Sequence, residues 1–202
     1  MRFEPLSVTL LAVAMAGCPD EKPAAPQPSR FPGVVAKPLV VEEKEFCDRT
    51  WPATGDKARP FQLPATKTVA GAPVLEPGKG WRWVNLWATW CTPCVEEMAL
   101  LSRWRSALEK EGVELSFEMV SIDEAEAEPA IKTWLGRLPG GLTWVTSPSE
   151  VPPWLEKTVG INPDSAIPIH ILVDSTGAQR CVRVGAVHAQ DYGSVRAFVR
   201  QP

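Results

Sequence analysis

Cys91 and Cys94 are separated only by Thr92 and Pro93. Two sulfurs at this spacing sit one helical turn apart, within reach of a reversible disulfide. Exchange through such a pair needs a thiolate as the nucleophile and a second thiol to resolve the mixed disulfide. The other chemistries open to two such cysteines are an inert bridge and half of a zinc site. A zinc site needs two further ligands, and the sequence has no second Cys-x-x-Cys and no paired histidines.

The neighbouring residues supply the elements that position these sulfurs. Trp81 to Thr89 is apolar and reads as a buried strand, while Pro93 to Lys110 reads as a helix. Proline near the first turn removes a donor the helix does not need, and Lys110 suits the C-terminal end. Cys91 then stands at the helix N-terminus, where unpaired N–H groups and the helix dipole favour an anion. It is the expected attacking sulfur. Cys94, one turn further in, is the expected resolving sulfur. Trp90 is expected to lie against this turn, with Thr92 and Pro93 facing a substrate; the alternative for Trp90 is ordinary core packing.

Further along, strand signals cover Glu114 to Ile122, Ile169 to Val173 and Gln179 to Val184, the last two joined by the turn Asp174-Ser175-Thr176-Gly177. Helical composition covers Glu124 to Leu138, with Pro129 as a possible interruption, then Trp154 to Val159, and Ala189 to Arg200. Alternating strand and helix signals predict an α/β domain with a central mixed β-sheet flanked by helices, over residues 46–202.

The start of the chain has a different character. Leu6 to Gly17 is apolar apart from Ser7 and Thr9, a length that fits an export signal and is too short to span a bilayer. Residues 1–17 are expected to be a signal peptide ending at Met15-Ala16-Gly17-Cys18. Small residues before a cysteine resemble a lipobox, which makes Cys18 the expected lipid anchor; ordinary cleavage near Ala16 is the alternative. Residues 18–45, rich in Pro and Ala, read as an extended, poorly ordered linker. A net charge of −3 gives no basic excess for nucleic acid.

With these elements placed, the chain resembles the TlpA-like branch of thioredoxin-fold thiol–disulfide oxidoreductases of the bacterial envelope. The residues that carry the resemblance are Val84-Asn85-Leu86-Trp87-Ala88-Thr89-Trp90-Cys91-Thr92-Pro93-Cys94 with Glu96-Glu97-Met98, and Ala166-Ile167-Pro168 followed by Ile171-Leu172-Val173-Asp174 and Gly177. The likeness runs from about Phe61 to Phe198; the segment from Cys47 to Gly80 matches poorly. It implies a redox-active Cys91–Cys94 pair, a cis-proline at Pro168 facing it, and an Ile167 backbone that pairs with an extended substrate. Glu97 is implied as an acid that moves a proton to or from Cys94; the alternative is a solvated glutamate offsetting the helix dipole. The implied activity is reduction of disulfides in exported proteins, as in cytochrome c or metal-centre maturation, with a membrane thiol donor, at the periplasmic face of the envelope. No cofactor is expected. A thioredoxin-fold metal-delivery or binding module without redox turnover is the alternative. Thr92 stands where Gly is more frequent, so the reduction potential does not carry over.

Five cysteines leave Cys47 and Cys181 unassigned. In an exported protein two such residues often pair, and a structural Cys47–Cys181 disulfide is expected, with two isolated thiols as the alternative. His170 and His188 are the only histidines; no metal role is assigned to either. Trp134, Trp144 and Trp154 are expected in the core or a groove.

Overall fold

The computed structural model describes residues 45–70 and 80–201. The expected signal peptide, Cys18 and all of the linker except Glu45 lie outside the described residues. The described strands are β1 (Arg49–Thr50), β2 (Arg59–Pro60), β3 (Thr66–Ala70), β4 (Trp81–Trp87), β5 (Leu115–Ser121), β6 (Gly141–Val145), β7 (Ile169–Val173) and β8 (Ala178–Val184). The helices are α1 (Thr92–Lys110), α2 (Glu128–Lys132), α3 (Val151–Trp154) and α4 (Tyr192–Phe198).

The strands form one mixed sheet in the order β1-β8-β7-β4-β5-β6-β3, with β2 also paired to β8. β4 runs parallel to β5, and β5 to β6; the remaining pairs, including β4 with β7, are antiparallel. β4 is central because both of its faces are apolar. Trp83 and Trp87 belong to one core and Val84 and Leu86 to the other, as strand alternation requires. The first core is closed by α1, which buries Cys94, Met98, Leu101, Trp104 and Leu108 at helical spacing, and by Val195 and Val199 near the C-terminus. The second is closed by Val151, Trp154, Leu155 and Val159.

Several elements differ from the sequence reading. Glu124 to Leu138 is a 3-10 turn at Ala125–Ala127, the five-residue α2 and a run of turns. Pro129 sits in the first turn of α2, so it opens a short helix instead of interrupting a long one. The helix expected from Trp154 starts earlier, at Val151, and Leu155–Val159 widens into a π turn that ends at Gly160, whose φ is +80°. The C-terminal helix is a 3-10 turn at Ala189–Asp191 followed by α4. β1 and β2, two residues each, and β3 were not anticipated.

Candidate active site

α1 begins directly after the sulfur it positions. Cys91 is the N-cap residue, with φ −84° and ψ 95°, and its Sγ accepts the Cys94 backbone N–H at 3.3 Å. Pro93 occupies the first turn. Cys91 and Cys94 are joined as a disulfide. The two sulfurs are unequal: Cys94 is fully buried, whereas Cys91 lines an open groove. The groove holds about 480 Å³ and is bounded by Trp90, Thr92, Pro93, Ile122 and the segment Ser165–Ile167. Trp90 is 67% exposed, so it forms groove wall and is not core.

The Ile167–Pro168 peptide bond is cis. The Ile167 carbonyl oxygen lies 3.8 Å from Cys91 Sγ, which places a backbone acceptor beside the outer sulfur. The loop before Cys91 is tied down from β5's end. Thr89 gives its N–H and hydroxyl to the Asp123 carboxylate, and the indole N–H of Trp144 donates to the Asp123 carbonyl at 2.7 Å.

Behind Cys94 lies a buried polar cluster. Glu97 is 4% exposed, unlike the exposed Glu96, and falls in the second turn of α1. A solvated role at the helix start is therefore excluded for Glu97. Its Oε1 accepts from Asn85 Nδ2 at 2.8 Å, and its Oε2 accepts the Val187 backbone N–H at 2.9 Å. His170 Nε2 lies 3.4 Å from the same Oε2. The carboxylate thus links α1, β4, β7 and the segment after β8. Asn85 is only half satisfied, since its Oδ1 has no protein partner.

Cys47 and Cys181 are joined by a disulfide that ties the N-terminal segment to β8. Of the remaining tryptophans, Trp144 is core, Trp154 donates to the Gln62 carbonyl at 2.7 Å, and Trp134 packs edge-on against Trp87. His188 is exposed. Among the described residues no group of three or more His, Cys, Asp or Glu side chains converges to hold a metal, and no helix is long and apolar enough to cross a membrane.

The sequence reading missed Asp123 and His170 as parts of this site. Both left a signal. His170 is a single polar residue inside the apolar run Ile169 to Val173, and Asp123 follows Ser121 at the period-two spacing that turns both inward.

No family model and no curated protein sequence matches the chain. Solved structures do. A thioredoxin-like protein from Porphyromonas gingivalis superposes with a TM-score of 0.52 at 18% identity, over 69% of this chain and 89% of that one. A structure described as a thiol:disulfide interchange protein DsbE, from Chlorobium tepidum, gives 0.51 at 15% identity, over 72% and 97%. Topology and likeness agree: this chain has the thioredoxin fold, with its Cys91–Cys94 pair at the start of the first long helix.

Proposed function

We propose that the protein is a thiol–disulfide oxidoreductase that reduces disulfides of exported proteins. The observation that carries this reading is the asymmetry of the Cys91–Cys94 pair, one sulfur at a helix N-cap in an open groove and the other fully buried, three residues before the buried Glu97 on the same helix.

In the reduced protein the Cys91 thiolate attacks one sulfur of a substrate disulfide. The substrate S–S bond breaks, its electron pair leaves on the second substrate sulfur, and Cys91 is left in a mixed disulfide. Cys94 then gives its proton to Glu97 and attacks Cys91 Sγ. The Cys91–Cys94 bond forms, and the remaining substrate sulfur departs with its electron pair and is protonated. The substrate gains two electrons and the protein loses two. A membrane thiol donor restores the dithiol.

Trp90, Thr92 and Pro93 give the groove its contact surface, and the Ile167 backbone pairs with an extended substrate segment. Pro168 holds that segment against the sulfurs. Cys47–Cys181 is structural and stays out of turnover. Cys18 anchors the chain by lipid to the periplasmic face of a bacterial envelope, and substrates include proteins of cytochrome c or metal-centre maturation. The test is trapping in cells. A Cys94→Ser variant should accumulate mixed disulfides through Cys91, and a Cys91→Ser, Cys94→Ser variant should not. Equal capture by both would overturn the reading.

A further inference from the structure

His170 is fully buried in β7, opposite Asn85 in the β4–β7 register, and no step above uses it. Its hydrogen-bonding environment fixes where its proton lies. Trp83 Nε1 is 3.1 Å from His170 Nδ1. An indole nitrogen only donates, so Nδ1 accepts. Asn85 Nδ2 is also 3.1 Å from Nδ1 while it donates to Glu97 Oε1. Turning that amide round would set its oxygen against two acceptors, Nδ1 and the carboxylate. The ring proton therefore sits on Nε2.

Nε2 lies 3.4 Å from Glu97 Oε2 and makes no formed hydrogen bond in this disulfide state. A buried donor without a partner is costly, so one only 3.4 Å from a buried carboxylate oxygen is a contact ready to close. Glu97 would then be held by three donors from three directions: Asn85 Nδ2, the Val187 N–H and His170 Nε2.

We propose that His170 is a positioning residue for Glu97. Its Nε2–H, with the tautomer set by Trp83 and Asn85, aims the carboxylate that takes the Cys94 proton, and so serves the resolving step alone. The proposal rests on the oxidoreductase reading. Cys91 lines the groove, whereas His170 is fully buried, so the attack of Cys91 on substrate needs no help from His170.

The test separates the two steps with a disulfide peptide as probe. Formation of the mixed disulfide is timed in a Cys94→Ser background, and peptide release is timed with Cys94 present. His170→Leu should leave formation unchanged and slow release by about tenfold or more. His170→Gln, which can return a donor toward Glu97, should restore most of the release rate. Release by His170→Leu at the wild-type rate, or equal slowing of both steps, would overturn the proposal. Nitrogen NMR of the wild-type protein gives a readout independent of any variant's folding: a protonated Nε2 with an accepting Nδ1 is expected, and the opposite tautomer defeats the proposal. Absence of any mixed disulfide in the Cys94→Ser background alone would instead defeat the oxidoreductase reading itself.

Discussion

Both carboxylate oxygens of Asp123 face one residue, Thr89. The Thr89 N–H is 3.1 and 3.0 Å from the two oxygens, and its hydroxyl is 2.7 Å from Oδ1. Ser121 adds its hydroxyl to Oδ2 at 2.7 Å. A side chain two residues beyond β5 thereby fixes the backbone two residues before Cys91. Asp123→Ala leaves the half-buried Thr89 donors and the buried Ser121 hydroxyl without this partner and should cost about 2 kcal/mol. It should also slow disulfide exchange, because the loop that sets Cys91 at the N-cap is freed. Urea denaturation and insulin-disulfide reduction check the two effects, and a variant of wild-type stability would contradict the account.

Trp90 offers the opposite case, a large side chain that folding leaves exposed on the wall of the groove. At 67% exposure, its loss should leave stability within about 0.5 kcal/mol of the wild type. For a protein disulfide, Trp90→Ala should raise KM about tenfold, a cost of about 1.4 kcal/mol. A small disulfide that does not fill the groove should react as before. If both substrates lose equally, Trp90 acts on the sulfurs and not on the groove.

The Cys47–Cys181 bridge joins residues 134 apart. In the chain-entropy picture, closing so long a loop stabilises by about 5 kcal/mol, and loss of native bridges costs about 2 to 5. It also carries Phe46, whose ring packs edge-on against Trp83 at 5.8 Å and lies 6.5 Å from His170. Replacing both cysteines by alanine should lower stability by several kcal/mol, while Cys91 and Cys94 still turn over at 25 °C. Calorimetry and insulin reduction on the double variant test this, and loss of turnover in a folded sample would sink it.

Asp174 ties the β7–β8 turn. Burial alone would raise its carboxyl, but the Thr176 hydroxyl at 2.6 Å, the Ala178 N–H at 3.1 Å, the Arg180 guanidinium at 3.2 Å and the Thr176 N–H at 2.9 Å outweigh it and hold the group below the ordinary aspartate value. A depressed folded value stabilises the fold above the unfolded pKa of about 3.9, and that stability is lost as pH falls through the folded value. Asp174→Ala should therefore cost about 1–2 kcal/mol at neutral pH, and the gap to wild type should close in acid. Denaturation at neutral pH and in steps below about pH 4 reads this directly; a gap that stays constant in acid would rule out the carboxylate as its source.

What was legible in the sequence follows from signal length. β4 and α1 carry seven and nineteen residues of unbroken pattern, and the cysteines fall at their junction, so both elements and the outer and inner sulfurs could be placed. β1 and β2 have two residues each and exist because β8 offers partners more than a hundred residues away, which no local pattern records. Helical composition overreached at Glu124 to Leu138, where Pro129 starts a new short helix and Gly136 takes a φ of +78°. Glu97 was visible from its spacing to Cys94; the Val187 N–H that holds it was not, because a backbone donor carries no residue type.

The exposure of Trp90 has an optical consequence. The chain has nine tryptophans, and Trp90 alone is solvent-exposed; Trp51 and Trp134 are half-buried and the other six are buried. A dissolved quencher such as acrylamide will therefore act chiefly on the one indole that stands beside Cys91. The protein carries its own fluorescent reporter of the groove, readable without a label, and whatever fills that groove will shield it.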